Sequence, residues 1–517
     1  MLFAAFPTEV HVQFLLRLVS VESKALTAWA ALAVALALQA CGGSDSPADA
    51  GNPFCAASQP SPGCSPPGTP SLVAGGTVGP MTAPPNGSCQ KPVGTPSYPQ
   101  GQVQDLGTHK VGEVLNFNVA QGAGSLSIIS QAVNATASIT FGGSSIDNTV
   151  VPTGLTEPNG TKIYDDLTAP DAGMEDLATV FYAGSSPATG AMTVPNASPL
   201  LASSCAGLPA GSWSVTVSDF AFDCFTNKDP NCTGANNTNT YAISVLTRSG
   251  VTPSTGTLDV AFYLVGAGSL TSATAILDVH VKRLVSSLSS LYAAAGLCLG
   301  TVTFYDVPAW AQSRYGTGID ADKEGPCDNL DQMFTLAQPG NTLNYFLVGQ
   351  IASTGTGGTV VGIDGTIPGP SAVGGTIHSG AAVSAADLSS GACTGGLDLI
   401  NCGADRVAYI AAHEGGHWMG LYHPTEADGE SFDPIHDTPT CGCEACATTK
   451  DLPNCATAGK TPRPAMPAFV FPESCLMSSG QCGGGDELMF WQLSEGIAQG
   501  RITSEQSQLM RSNPLVH

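Results

Sequence analysis

The sequence predicts a multidomain chain: an N-terminal antiparallel β-sandwich followed by an α+β domain with a twisted mixed sheet and one chemistry-bearing helix. Three observations carry this expectation. From about residue 105 to 250, short strand-like runs alternate with turn residues and no long helical pattern intervenes. From 257 onward, longer apolar runs are separated by a stretch with helical spacing. Then comes His413-Glu414-Gly415-Gly416-His417-Trp418-Met419-Gly420-Leu421-Tyr422-His423, which holds three of the nine histidines of the chain.

In chain order, Lys24 precedes the apolar run 25–40 (ALTAWAALAVALALQA) and Cys41, so residues 1–41 read as an export signal whose apolar run is shorter than a membrane span requires. Leu38-Gln39-Ala40-Cys41 resembles a bacterial lipobox. That resemblance implies lipidation at Cys41 and a membrane anchor, with plain secretion as the alternative because Gln39 is not the usual small residue. Gly42, rather than Asp, after the cysteine would favour the outer membrane. Residues 42–104 are dense in Pro, Gly and Ser and read as an extended tether without a core. Cys55, Cys64 and Cys89 suit small local disulfides, or one is a propeptide thiolate that caps a metal.

Residues 105–250 form the expected sandwich, with strands near 112–119, 126–131, 137–141, 212–218 and 240–247. Trp213 is expected in its core. The module could bind a substrate or glycan or assist folding; the sequence favours a spacer.

Residues 251–517 form the second domain. The runs 257–265 (TLDVAFYLV), 297–307 (LCLGTVTFYDV) and 342–351 (TLNYFLVGQI) read as buried strands. Between the first two, Ile276, Val279, Leu284, Leu288 and Leu291 place a helix over 274–295.

The histidine stretch carries the chemistry. His413 and His417 stand four apart, so on a helix both imidazoles leave the same face and can share one metal ion. Gly420 can adopt positive φ, which lets the helix stop and the chain return His423 as a third ligand. Three histidines leave one coordination position open, as in catalytic zinc sites. Glu414, beside the first ligand, is the candidate general base.

H-E-x-x-H-x-x-G-x-x-H is the metzincin zinc signature, and with Asp437-Thr438-Pro439 the stretch resembles the pappalysin-like branch of those metalloproteases. The resemblance covers residues 405–440 closely and extends more loosely from about 257 to the C-terminus. It implies a zinc endopeptidase acting on protein or peptide substrates. It also implies that 374–385 (GGTIHSGAAVSA), which carries His378, is the edge strand pairing with an extended substrate. A methionine turn beneath the metal falls at Met489, or alternatively at Met477. Met489 is preferred because Thr503-Ser-Glu-Gln506 then opens the last helix with a capping box.

The family usually places a tyrosine two residues after this methionine; here the position is Trp491, or Ser479 for Met477. Residues 208–217 (LPAGSWSVTV) are similar to the closing strand of sandwich modules appended to secreted bacterial peptidases.

Composition bounds the rest. Lys and Arg total 17 against 41 Asp and Glu, a net charge of −24, which makes nucleic acid and anionic headgroups poor partners. Of the 17 cysteines, sixteen remain beyond Cys41 for disulfides. Cys441, Cys443, Cys446, Cys455, Cys475 and Cys482 lack paired C-x-x-C knuckles and read as disulfides rather than a second metal cluster. Glu426, Asp428, Glu430, Asp433 and Asp437 offer oxygen ligands for calcium, although Asp437 could instead hold the loop by accepting backbone hydrogen bonds. The competing expectation is a non-catalytic surface adhesin or binding lipoprotein on a zinc-stabilised scaffold.

Overall fold

The computed structural model describes residues 70–85, 88–136, 138–148, 150–165, 189–198, 200–201, 207–321, 327–352, 360–424, 433–438, 484–491, 493 and 499–517. The expected signal and Cys41, Cys55 and Cys64 lie outside these, as do Met477, Ser479, Glu426, Asp428, Glu430 and the cysteines from Cys441 to Cys482. The fold is a multi-sheet α/β arrangement with antiparallel and mixed sheets and few helices.

After β1 (Ser71–Thr77) the chain runs through β2 (Gly101–Lys110), β3 (Val114–Val119), β4 (Ala123–Asn134), β5 (Ser138–Phe141), β6 (Ser144–Asp147), β7 (Val150–Thr156), β8 (Lys162–Asp165) and β9 (Thr189–Val194). Then come β10 (Gly211–Asp219), helix α1 (Phe220–Asn227), β11 (Cys232–Thr233) and β12 (Thr240–Ser249). Strands β2 to β12 form two four-stranded antiparallel sheets, β3-β10-β7-β8 and β2-β12-β4-β9, with a small sheet β11-β5-β6. Alternation explains the layering. Leu115, Phe117 and Val119 of β3 point inward, as do Trp213, Val215 and Val217 of β10, and they share one core with Leu126, Ile128, Tyr241, Ile243 and Val245. Trp213 sits in that core, its indole N–H donating to the Pro209 carbonyl at 2.8 Å.

The C-terminal half contributes β13 (Gly256–Leu264), α2 (Ser272–Ala275), α3 (Val279–Ala293), β14 (Leu297–Asp306), α4 (Ala309–Tyr315), β15 (Ile319–Asp320) and α5 (Asn329–Phe334). It continues with β16 (Leu343–Val348), β17 (Ile351–Ala352), β18 (Gly362–Asp364), β19 (Ala381–Ser384), α6 (Gly403–Trp418) and α7 (Ser504–Ser512). Its main sheet has the order β1-β14-β13-β16-β19-β18; every pairing is parallel except β18 with β19. Both faces are covered. Leu258, Val260, Phe262 and Leu264 of β13 face the core that holds α3 and α6, while Ala261 and Tyr263 face a second core with α4 and α5. Burial on both faces is why these strands read as continuous apolar runs.

The helix expected over 274–295 is broken. Asp278 accepts the N–H groups of His280 and Val281 and starts α3 at Val279, leaving Ser272–Ala275 as a separate turn. Arg283 of α3 then grips the buried Asp405 of α6 with two bonds of 2.6 and 2.7 Å, locking the two helices together.

Three expectations are corrected. Residues 70–85 and 88–104 are not a tether: β1 pairs in parallel with β14 at one edge of the main sheet. Its side chains are mostly exposed, so strand pairing there rests on backbone hydrogen bonds and leaves no apolar signature. Cys89 pairs with Cys327 across 238 residues rather than locally. The N-terminal sheets pack against the C-terminal half, where Tyr98, Ile129 and Leu246 meet Ala372 and Val373. Finally, 374–385 is not the edge: β19 lies between β16 and β18, and β18 takes the edge.

His378 lies in the turn before β19 with its ring buried, and burial pushes its pKa down to about 4. Between pH 6.5 and 4 the unfolded chain therefore binds more protons at this residue, and stability falls as pH drops through that window. Urea unfolding at pH 7 and pH 4.5 should show a smaller loss for His378→Leu than for the wild type. An equal loss would assign the acid sensitivity elsewhere.

Besides Cys89–Cys327, disulfides join Cys224 to Cys232 and Cys393 to Cys402, which points to an oxidising, extracellular environment. Among the described residues no helix is long and apolar enough to cross a membrane.

Candidate metal centre

Helix α6 is buried along almost its whole length, and its last two turns carry His413, Glu414 and His417 toward β18 and the chain at 488–489. The helix ends as the spacing predicts. Gly420 has φ +103°, its N–H reaches the His417 carbonyl at 2.8 Å, and the chain turns back to deliver His423.

The three imidazoles converge. Nε2 of His417 lies 3.1 Å from Nε2 of both His413 and His423, and those two lie 3.3 Å apart. Nitrogens about 2.0–2.1 Å from one tetrahedral ion would stand about 3.3–3.4 Å from each other. Second contacts set the tautomers. Nδ1 of His413 donates to the Leu488 carbonyl and Nδ1 of His417 to the Leu421 carbonyl, both at 2.7 Å, so both Nε2 atoms present lone pairs. Burial holds both rings neutral, with His413 pushed down to about 3 and His417 well below the usual range. Facing lone pairs repel unless a cation lies between them. The residues therefore fit a metal ion, and among the described residues no other group of histidines, cysteines and carboxylates converges in this way.

Glu414 is fully buried, and neither carboxylate oxygen makes a hydrogen bond of normal geometry. Burial, and then the nearby Asp364, push its pKa well above the usual carboxylate range. Its carboxylate lies against Gly362 of β18, where any Cβ would collide with Oε1. Side chains alternate along β18: Ile363 joins the far core, so Gly362 and Asp364 face α6. Asp364 is thus a second carboxylate beside the histidines, and burial raises its pKa to about 7. Sequence reading missed it, because nothing near Asp364 in the chain marks its strand as the one beside α6.

The two glycines between the ligands have packing reasons. A Cβ on Gly415 would strike the hydroxyls of Tyr292 and Tyr345, and one on Gly416 would strike Sδ of Met489. Met489 is fully buried against the metal helix, one residue after the carbonyl that orients His413. Trp491 is buried in the second core with Phe490, so that position supplies no hydroxyl.

Of the acidic positions after His423, Asp433 accepts from Thr438 Oγ1 at 2.5 Å and Asp437 accepts the backbone N–H of Glu505 at 2.9 Å. Both brace the loop. The capping box at Thr503 and Gln506 is present at the start of α7. No family model matches this chain, and no curated protein matches it.

Proposed function

We propose that this chain is an exported zinc endopeptidase of the metzincin type, close to the pappalysin-like branch. The supporting observation is the conjunction of three Nε2 atoms converging on one point with the buried Glu414 carboxylate beside them, which makes no hydrogen bond of normal geometry. A purely structural metal site has no use for a carboxylate held ready but unbonded at that position. Export and a lipid anchor at Cys41 rest on the sequence of the first 41 residues.

His413, His417 and His423 would hold zinc, which when bound supplies Lewis acidity toward a scissile carbonyl and a water. Glu414 takes the proton of the attacking water and returns it to the departing amine. Gly362 leaves the room this carboxylate needs, and the Leu488 and Leu421 carbonyls keep two imidazoles in the ligating tautomer. Among the described residues β18 has no strand on its outer side. An extended peptide can add there by main-chain hydrogen bonds, so the substrate-binding role expected of 374–385 passes to 362–364.

The buried Trp491, where a tyrosine hydroxyl would assist the transition state, favours the second reading, a binding lipoprotein on the same scaffold. Peptide-library cleavage by residues 42–517 with Cys41 replaced separates the two. Cleavage that is lost with chelator and restored by zinc supports the peptidase. Zinc-loaded protein that leaves every peptide intact, also after trimming toward but not beyond Ser71, supports the binder; β1 sets that limit.

A further inference from the structure

The chain after β9 crosses from the N-terminal sheets into the C-terminal core in one turn. The N–H groups of Leu200 and Leu201 both reach the Ala197 carbonyl, at 3.0 and 2.9 Å. Leu200 packs in the core between the antiparallel sheets, whereas its neighbour Leu201 packs in the core that holds α6. Two adjacent side chains thus join two cores.

Ser198, fully buried in this turn, meets the chain just beyond the third histidine. Its N–H donates to the Pro434 carbonyl at 3.2 Å, and its Oγ accepts the His436 N–H at 2.8 Å while donating to the Glu505 carboxylate of α7. Gln508 of α7 donates to the Leu201 carbonyl at 3.3 Å. The turn therefore holds both the 433–438 segment and α7.

Helix α7 in turn touches the parts that place the ligands. Leu509 packs against Gly420, and Asn513 Nδ2 donates to the Met419 carbonyl at 3.4 Å, so α7 backs the turn that delivers His423. Gln506 Nε2 donates to Glu487 at 3.2 Å, one residue before the carbonyl that orients His413.

We propose that residues 197, 198, 200 and 201, at the end of the N-terminal sheet unit, are a positioning element of the metal centre. They set α7 against the 419–423 turn and the 487–489 segment, and so keep His423 and His413 at ligating distance. The physical reason is tolerance. A three-ligand site works only when its donors stay within about 0.5 Å of their places, and neither the turn after α6 nor the 484–491 segment, whose Glu487 forms an isolated bridge with Arg501, belongs to a helix or strand. The proposal deepens the peptidase reading but depends only on its metal-binding half.

The test uses the whole mature chain with Ser198→Ala and Gln508→Ala, singly and together. Zinc affinity is read by chelator competition, ligand geometry by the absorption spectrum of the cobalt-loaded protein, and kcat and KM on a cleaved peptide. The double variant is expected to bind zinc about 10- to 100-fold more weakly, as for lost supports of metal ligands. Its cobalt spectrum should shift, and kcat should fall while KM stays near the wild-type value. Ile139→Ala, in the small separate core beside α1, controls for general destabilisation. It should lower the unfolding midpoint and leave zinc affinity and the cobalt spectrum unchanged.

Unchanged zinc affinity and cobalt spectrum in the double variant would overturn the proposal, as would an equal loss in Ile139→Ala. Wild-type protein that binds zinc without cutting peptides would overturn the peptidase reading alone, with the affinity comparison still deciding this one.

Discussion

Glu414→Gln is expected to lower peptide hydrolysis by about 10²- to 10⁴-fold, the usual contribution of a positioned general base, with zinc still bound. Glutamine keeps the shape of the side chain against Gly362 but cannot take a proton from water. KM should stay near the wild-type value, because the loss falls on the transition state. A second readout does not depend on turnover. The carboxylate is fully buried without a hydrogen bond of normal geometry and beside Asp364, so the metal-free chain holds a poorly compensated acid. Removing it should raise the unfolding midpoint of the metal-free protein. Near-normal hydrolysis by Glu414→Gln would take the base assignment away.

His423→Ala is expected to weaken zinc binding by on the order of 10²- to 10³-fold, taking roughly 10–16 kcal/mol as the binding free energy shared among four ligands. The two remaining histidines stay on α6 with their Nδ1 contacts intact, so the helix should persist without a competent site. Metal binds the folded chain and stabilises it by mass action, about 2.7 kcal/mol at a free concentration one hundred times Kd. Adding zinc should therefore raise the unfolding midpoint of the wild type far more than that of His423→Ala at the same free concentration. Chelator should abolish the difference. Equal shifts in both proteins would remove His423 from the ligand set.

How much of this site could be read before folding depended on chain distance. His413, Glu414, His417, Gly420 and His423 are legible because helical periodicity and one positive-φ glycine act within eleven residues. The apolar runs that became β13, β14 and β16 are legible because both faces of those strands are buried. Met489, singled out by its place before the Thr503 capping box, packs against Gly416, while Met477 lies outside the described residues. Strand β1 was hidden, because an exposed edge strand contributes backbone groups rather than a side-chain pattern. The same holds for the edge role of β18, three residues with no distinguishing composition.

By itself, then, the sequence determined which residues can hold a metal and which carboxylate stands beside it, since both follow from positions a few residues apart on one helix and its turn. Only the tertiary structure decided what keeps those residues in place. The Leu488 carbonyl reaches His413 across 75 positions, Ser198 reaches Glu505 across 307, and Cys89 reaches Cys327 across 238. The first of these is a backbone carbonyl, which every residue supplies, and the other two join side chains that lie far apart in the chain. Their identity carries no local signal, and only packing selects them.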